Sequence, residues 1–455
     1  MGREGSSGVQ PNTVHQAQPV GHHLDAVVSV PGSKSIANRA LVCATLAPGV
    51  SRFTNVPGGD DTSAMLECIA LLGAGVMVDP HDATTVEVHG TGGVLRPGPM
   101  SLPTQLAGTT SRFVTALCAL GSGHYEIDGL GPLRARPMGP LHDALVSMGV
   151  AVEPGETWGH LPVTVVGLHQ AGPRQAGIRQ AGLATGSPMP VVRMPGDISS
   201  QYITALMLIA PYLPSGLRIE VTTPLISRPY IRITAAVMGS FGVADVRIGE
   251  SSIIVGTGEY MAREYAIEPD ASSASYPLAA AAICGGRVRV PDLGPVSLQG
   301  DAAFADVLAS MGCTVHRDDA GTIIECSAAL RGITIDMADL SDLVPTLAVV
   351  APFATTPTVI RGVGFIRSKE SDRLGDLAAE LRKCGIDAVE LNDGLRIAPG
   401  FTGGAALDTH HDHRLAMAFA LLGLKIPGVR VHDPDVVSKS WPDFWMMIES
   451  LRGER

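Results

Sequence analysis

The chain is poor in aromatic residues and in positive charge. Of its 455 residues, 4% are aromatic and 17% are charged, and 33 lysines and arginines face 44 aspartates and glutamates for a formal net charge of −11. Few aromatic rings leave few stacking surfaces for bases, and an acidic chain repels phosphate backbones and anionic lipids. The composition argues against a general nucleic-acid or membrane-surface protein. An anionic ligand would need cations concentrated locally.

Paired cysteines and long apolar runs are also lacking. The seven cysteines include no C-x-x-C pair, which signals neither a disulfide framework nor a zinc site. The longest apolar stretches, Thr204–Leu213 and Val344–Ile360, are broken by proline and threonine and fall short of a spanning helix. The N-terminus carries no basic-then-apolar signal. We therefore expect a cytoplasmic protein with reduced thiols in its core, and a mobile tail over residues 1–23.

One pattern recurs along the chain: an apolar, helix-like stretch that ends in glycine and precedes an alternating strand, as in LLGAGVMV, SMGVAV and KCGIDAV. Glycine suits this place because it caps a helix in the left-handed conformation. With a truncated copy at Gly453, six units of roughly 70 residues suggest two halves of three units. Asp197 in PGDISSQY likewise corresponds to Asp270 in PDASSASY. The predicted capping glycines are Gly75, Gly149, Gly242, Gly312 and Gly385.

These repeats predict two domains of α/β type. One domain comprises residues 24–32 and 269–455, because the last unit needs a strand from the N-terminus, and the other comprises residues 33–268. Three QAG triplets mark a low-complexity insertion near residues 168–186, which we expect to be a dispensable surface loop.

Five predicted helix starts carry unusual polar content: PGSKSIANRALV, LAGTTSRF, DISSQYITALM, SKESDRL and DHRLAMAFALL. Free N–H groups and the helix dipole attract anions there. Taken singly, each is also typical of an ordinary capped helix or a solvated charge run. A metal site at the adjacent His410, His411, Asp412 and His413 is disfavoured, because neighbouring residues at a helix start do not face one point. Together with RARP, ISRPYI and SKSWPDF, the set predicts a small polyanion bound between two domains.

In this order along the chain, the motifs PGSKSIANRALV, LAGTTSRF, RARPMGPL, SSQYITALM, ISRPYI, SKESDRL, DHRLAMAFAL and SKSWPDF resemble the EPSP synthase (3-phosphoshikimate 1-carboxyvinyltransferase) family. The resemblance covers about Ala26 to Leu451. It implies a two-domain inside-out α/β barrel with six βαβαββ repeats, three per domain, and an active site in the cleft between them.

The implied activity is transfer of the enolpyruvyl group of phosphoenolpyruvate (PEP) to the 5-hydroxyl of shikimate 3-phosphate, in aromatic amino acid biosynthesis. The reaction proceeds by addition and elimination through a tetrahedral intermediate and releases phosphate. The resemblance implies no metal or organic cofactor, and we expect a monomer that glyphosate could inhibit. Two alternatives are kept: the sister transferase acting on UDP-N-acetylglucosamine, and a non-catalytic binding protein of the same fold.

The resemblance also implies roles for single residues. Asp342 would take the proton of the shikimate hydroxyl, and Glu370, with Lys34 beside it, would move a proton to and from the PEP carbon. The residues implied to bind shikimate 3-phosphate are Lys34, Ser35, Arg39, Ser199, Ser200, Gln201, Ser227, Tyr230, Asp342 and Lys369. Those implied to bind PEP are Lys34, Gly108, Arg136, Gln201, Arg373, Arg414 and Lys439.

The chain departs from the usual family pattern at three positions. Leu106 and Phe365 stand where members often have asparagine, which removes one expected amide contact to PEP and one to the shikimate phosphate. Phe113 stands where many members have proline, whereas Gly108 is kept, as in glyphosate-sensitive members. Gly108 favours sensitivity to glyphosate, whereas Phe113 counts against it.

Overall fold

The computed structural model describes residues 13–168 and 188–453. Its first half contains α-helices and short strands in alternation. In chain order they are β1 (Val14–Gln16), β2 (Leu24–Val27), α1 (Lys34–Leu46), β3 (Pro48–Thr54), α2 (Asp60–Leu71), β4 (Gly75–Val78), β5 (Val86–Thr91), β6 (Met100–Pro103), α3 (Gly108–Cys118), β7 (Ser122–Asp128), α4 (Gly131–Arg134), α5 (Gly139–Ser147), β8 (Ala151–Pro154), β9 (Val163–Leu168), β10 (Val191–Met194), α6 (Ser200–Ile209), β11 (Leu217–Val221), α7 (Arg228–Ser240), β12 (Val246–Ile248), β13 (Ser252–Val255) and β14 (Glu264–Ala266).

The second half continues the alternation. Its elements are α8 (Ala271–Cys284), β15 (Gly286–Pro291), α9 (Phe304–Ser310), β16 (Thr314–Asp318), β17 (Gly321–Cys326), β18 (Thr334–Asp336), α10 (Val344–Val350), β19 (Thr358–Arg361), α11 (Gly375–Lys383), β20 (Ala388–Leu391), β21 (Gly394–Ile397), β22 (Ala406–Leu407), α12 (His413–Gly423), β23 (Arg430–His432) and α13 (Phe444–Leu451). Short 3₁₀ helices include Gly300–Ala303, Ser341–Leu343, Gly364–Ser368 and Pro434–Lys439.

The strands form small sheets with one recurring topology. The second unit shows it: β6 pairs in parallel with β7, β7 pairs antiparallel with β9, and β8 and β9 form a hairpin. Helices α3 and α5 connect these strands, which makes a βαβαββ unit. Among the described residues there are five such four-stranded sheets and one three-stranded sheet, β1-β23-β22.

The chain crosses between two hydrophobic cores at adjacent points. One core draws on residues Val20–Val30 and Ala271–Leu451, and the other on residues Ile36–Ile267. Strand β2 pairs with β15 of the second half, while β14 pairs with β3 of the first. The two crossing segments are joined by a bridge between Gly32 and Pro269. Because both segments are tied together, the helices that follow them, α1 and α8, begin side by side.

The N-terminal segment differs from the predicted mobile tail. Strand β1 pairs antiparallel with β23, with Val14 opposite His432 and Gln16 opposite Arg430. Ala17 and Val20 are buried in the protein. The prediction of mobility over residues 1–23 is therefore wrong from residue 13 onward, because the last unit has an open sheet edge that this segment fills. Residues 1–12 lie outside the described part of the chain.

One predicted helix cap is displaced by two residues. Helix α2 ends at Leu71, and the glycine with positive φ is Gly73 (φ 110°), whereas Gly75 begins β4. LLGAGVMV contains two glycines, and the backbone leaves the helix at the first. The other predicted caps, Gly149, Gly242, Gly312 and Gly385, all have positive φ. Most of the QAG insertion lies outside the described residues.

The cysteines lie inside the protein, and the helices are short. All seven cysteines are buried free thiols. Within residues 13–168 and 188–453, no helix is long and apolar enough to cross a membrane.

Candidate active site

A cleft that is open to solvent lies where the two halves meet. Fifteen of the sixteen predicted site residues line it, and Lys439 lies one contact away, bound to the lining residue Asp61. The predicted residues that line it are Lys34, Ser35, Arg39, Gly108, Arg136, Ser199, Ser200, Gln201, Ser227, Tyr230, Asp342, Lys369, Glu370, Arg373 and Arg414.

Positive charge is concentrated in this cleft although the whole chain is acidic. Six cationic side chains of the described residues line the cleft, against three carboxylates. The cations are Lys34, Arg39, Arg136, Lys369, Arg373 and Arg414, and the carboxylates are Asp61, Asp342 and Glu370. A cleft with one predominant sign of charge focuses the field and attracts counter-ions. The lining is therefore suited to a ligand with several negative charges.

Arg373 holds the two predicted catalytic carboxylates together. Its guanidinium is 1% exposed and lies 3.0 Å from Oδ1 of Asp342 and 2.9 Å from Oε2 of Glu370. Its Nε lies 2.7 Å from Oδ2 of Asp412, the N-cap residue of α12. Arg414, two residues further on, donates from Nη2 to Oδ2 of Asp342 at 2.9 Å. One buried arginine thus fixes three carboxylates in a single network.

These cations keep both carboxylates ionised. Burial opposes ionisation of Asp342, but the nearby Arg414, Lys369 and Arg373 lower its pKa far below the usual range. Burial likewise opposes ionisation of Glu370, and Arg136 and Arg373 hold its pKa well below normal. Arg136 approaches from the other half of the protein, with Nη1 3.2 Å from Oε1 of Glu370. The three carboxylates of the lining offset only part of the charge of its six cations, so the cleft keeps an excess of positive charge.

Asp61 joins the two predicted lysines and was missed by the sequence reasoning. Its two oxygens lie 2.6 Å from Nζ of Lys34 and 2.7 Å from Nζ of Lys439. Despite burial, Lys34 and Lys439 lower the pKa of Asp61. Its place in DDTSAMLE gave no signal, because acidic residues are ordinary in the first turn of a helix. Lys439 also donates to the backbone oxygen of Leu106 at 2.6 Å. Leu106, which stands where family members often have asparagine, therefore contacts Lys439 through its main chain.

The Asp61→Asn variant is expected to lose about 3 kcal/mol of unfolding free energy at neutral pH, because it leaves two buried ammonium groups without their carboxylate. Since the folded pKa of Asp61 is lowered, its contribution is present above the unfolded pKa of about 4 and is lost as pH falls through the folded value. Denaturant unfolding at pH 7 and pH 3 measures this difference. An equal loss at both pH values would contradict the pairing.

Two arginine side chains approach Gly108 closely. A Cβ at this position would lie 2.6 Å from Nη1 of Arg136 and 2.8 Å from Nη1 of Arg112. Arg112 is buried and donates from Nη1 to Oε1 of Gln201 at 2.7 Å. Arg112 thus holds Gln201, whose amide also donates to Oγ1 of Thr109 at 3.2 Å.

The cleft lining also includes hydroxyls and another buried arginine. Arg39 is 2% exposed, donates to the backbone oxygen of Ser35 at 2.6 Å, and lies 5.5 Å from the centre of the Phe113 ring. Ser227 has a left-handed φ of 54° just before α7, which sets the entry to that helix. The Phe365 ring centroid lies 5.9 Å from Nζ of Lys369, so an aromatic face stands where an amide is usual in the family.

His413 is a second lining residue that the sequence reasoning did not assign to the site. Burial and the nearby Lys34 and Arg414 lower its pKa well below 6.5, so its imidazole is neutral. Its Nδ1 is buried with no hydrogen-bond partner. In the part of the chain that the structure describes, no three His, Cys, Asp or Glu side chains are grouped to hold a metal ion.

Comparison with known proteins agrees with this geometry. The family model for EPSP synthase (3-phosphoshikimate 1-carboxyvinyltransferase) matches residues 19–448. The chain belongs to the EPSP synthase family. It is 40% identical over 432 residues to 3-phosphoshikimate 1-carboxyvinyltransferase of Trichormus variabilis, covering 95% of this chain and 97% of that protein. It is 41% identical over 423 residues to the enzyme of the same name from Nostoc sp., covering 93% and 95%.

Solved structures share the fold. EPSP synthase of Acinetobacter baumannii superposes with a TM-score of 0.78 at 24% identity, covering 96% of this chain and 98% of that one. The enolpyruvyl transferase NikO of Streptomyces tendae gives 0.71 at 18% identity, covering 97% and 98%. The predicted two-domain α/β fold and the family resemblance are confirmed. The named curated relatives do not favour the sugar-nucleotide alternative.

Proposed function

We propose that this chain transfers the carboxyvinyl group of PEP to the 5-hydroxyl of shikimate 3-phosphate and releases phosphate, as the names of its relatives imply. The observation that carries the proposal is the network in which Arg373 holds Asp342 and Glu370 ionised inside a cationic cleft. Each substrate carries a phosphate and a carboxylate, which match the excess of lysine and arginine there.

Substrate binding would convert these carboxylates from ion-pair partners into proton-transfer groups. Arg414, Lys369 and Arg373 now lower the pKa of Asp342. When substrate anions compete for these cations, the carboxylate loses part of their field and becomes a stronger base. Asp342 then accepts the proton of the 5-hydroxyl while that oxygen attacks C2 of PEP.

Glu370 would serve the other reacting carbon. Arg136 and Arg373 contact its two oxygens at 3.2 and 2.9 Å. Both arginines can pair in bidentate fashion with the carboxylate or phosphate of PEP. When these arginines pair with PEP in place of Glu370, the pKa of Glu370 rises. Glu370 can then deliver a proton to the methylene carbon of PEP, and it later removes one as phosphate leaves. Lys34, held by Asp61, adds positive charge beside the departing phosphate.

Each of the remaining residues would bind PEP, shikimate 3-phosphate or both. Gly108, Gln201, Arg414 and Lys439 are assigned to PEP with Lys34, Arg136 and Arg373. The residues assigned to shikimate 3-phosphate are Lys34, Ser35, Arg39, Ser199, Ser200, Gln201, Ser227, Tyr230, Asp342 and Lys369. We further expect a cytoplasmic monomer whose PEP subsite glyphosate could occupy.

The Gly108→Ala variant is expected to raise KM for PEP about tenfold, or ~1.4 kcal/mol, with a smaller change for shikimate 3-phosphate. The added Cβ would lie 2.6 Å from Nη1 of Arg136 and would push that side chain from its place. The matched control is Gly58→Ala, since a Cβ at Gly58 meets no atom within 4 Å. Steady-state kinetics with each substrate varied in turn checks this. Equal KM shifts for both substrates would contradict the assignment of Arg136 to PEP.

The test of the proposed function is phosphate release from the purified chain with PEP, with and without shikimate 3-phosphate. UDP-N-acetylglucosamine serves as the parallel acceptor. Release only with shikimate 3-phosphate supports the proposal. Release with the sugar nucleotide favours the sister transferase, and no release with either acceptor favours the non-catalytic alternative.

A further inference from the structure

Asp301 lies behind the cleft wall, and none of the roles above uses it. It belongs to the 3₁₀ helix Gly300–Ala303 and is 5% exposed. Its Oδ2 accepts a hydrogen bond from the Ser272 hydroxyl. Ser272 belongs to PDASSASY, the second copy of the motif that contributes Ser199 to the cleft. The duplicated motif therefore places a buried carboxyl close to the substrate site.

The Tyr230 hydroxyl lies between this carboxyl and the proposed base. It is 3.4 Å from Oδ2 of Asp301 and 3.4 Å from Oδ2 of Asp342. Burial and these two aspartates raise the pKa of Tyr230 well above 10, so the hydroxyl keeps its proton. A hydroxyl with one proton donates to one acceptor at a time. Asp301 and Asp342 therefore compete for the same hydrogen bond.

The protonation of Asp301 decides this competition. Burial and then Asp342 raise the pKa of Asp301 to about 6, with a smaller contribution from Asp270, while Ser272 and Arg414 oppose the shift. Ionised Asp301 accepts the hydrogen bond from Tyr230. Protonated Asp301 donates to the Tyr230 oxygen, and the Tyr230 hydroxyl then donates to Asp342.

We propose that Asp301 is a positioning residue: its carboxylate draws the Tyr230 hydroxyl away from Asp342. Asp342 Oδ2 then accepts from Arg414 alone and keeps a lone pair for the proton of the substrate hydroxyl. The inference rests on the proposed role of Asp342 as the base. A carboxylate that loses a hydrogen-bond donor is more basic. One proton passes from the substrate O–H to Asp342 while the substrate C–O bond forms, and no further reactant is needed.

The test compares Asp301→Asn with wild type at saturating PEP and shikimate 3-phosphate between pH 4 and 8. Asparagine carries no charge at any pH, so the ionised Asp342 is the stronger acceptor and the Tyr230 hydroxyl donates to it. The ratio of wild-type to variant kcat is expected to rise from about one below pH 5 to about ten above pH 7, with KM for shikimate 3-phosphate within about threefold. Substrate phosphates also titrate in this range, but equally in both enzymes, so the ratio removes their effect.

The matched control is Asp306→Asn, a nearby aspartate whose side chain is 62% exposed, for which the ratio stays at one. In a Tyr230→Phe background the effect of Asp301→Asn is expected to shrink below about twofold, because the shared hydroxyl is gone. Ser272→Ala provides a second variant, because it removes a hydrogen-bond donor to the Asp301 carboxylate and so raises the pKa of Asp301. In the Ser272→Ala background, the midpoint at which the effect of Asp301→Asn appears is expected to shift to higher pH.

A ratio that is constant with pH, or an undiminished effect in the Tyr230→Phe background, overturns the inference. Wild-type protein that releases no phosphate with both substrates overturns the proposed function and the inference together. A fully active wild-type enzyme with a flat ratio overturns the inference alone.

Discussion

The Asp342→Asn variant is expected to lose about 10²–10⁴-fold in kcat, the range that general-base catalysis contributes. Asparagine keeps the shape of the side chain and one oxygen for Arg373 or Arg414, which now contact Asp342 at 3.0 and 2.9 Å. It cannot accept the proton of the substrate hydroxyl. Binding of shikimate 3-phosphate should change less than turnover, because the cations of the cleft remain.

Steady-state kinetics and calorimetry separate these two effects for Asp342. The control is Asp387→Asn, whose carboxylate is 63% exposed and pairs with Arg396 on the surface. It should leave both kcat and affinity unchanged. Normal turnover with weakened binding in Asp342→Asn would exclude the role of base and leave Asp342 as a binding residue only.

The Glu370→Gln variant is expected to lose a similar factor of about 10²–10⁴ in kcat, because glutamine cannot exchange a proton with carbon. Its position supports this role, since Arg136 and Arg373 contact its two oxygens at 3.2 and 2.9 Å, where they would also meet PEP. The distinctive result concerns the PEP methylene group. In D₂O, wild type should place deuterium on that carbon, and Glu370→Gln should do so far more slowly.

Proton NMR of PEP and product during turnover measures that exchange. The control is Glu390→Gln, a partly exposed carboxylate that pairs with Arg367 outside the cleft. Undiminished deuterium incorporation in Glu370→Gln would assign the carbon proton to another group, for which the neutral His413 in the cleft lining is one candidate.

The candidate helix starts came from local patterns, whereas the roles of single residues, Asp342 among them, came from the family resemblance that the motifs carry. Motifs such as GSKSIANR and SSQYITALM mark helix starts, and short-range sequence determines which side chain stands at an N-terminus. Helices α1 and α6 begin within or next to these motifs, at Lys34 and Ser200. The recurring glycines similarly predicted six units, because a left-handed helix end is a local property of the backbone.

The residues that were missed depend on tertiary contacts. Asp61 stands beside Asp60 in an ordinary acidic first turn, and only the fold brings Lys34 and Lys439 to its oxygens. Asp301 became visible only through its distance to Tyr230. Strand β1 has three residues, too few for an alternating pattern, and is fixed by the open edge of β23.

The most direct test of the account is proton NMR of the purified chain turning over PEP and shikimate 3-phosphate in D₂O. The account predicts stoichiometric inorganic phosphate and a new carboxyvinyl ether at the 5-position, with deuterium in its methylene group, because addition and elimination pass through a methyl carbon. Phosphate release without a new ether, or an ether whose methylene carries no deuterium, would contradict it.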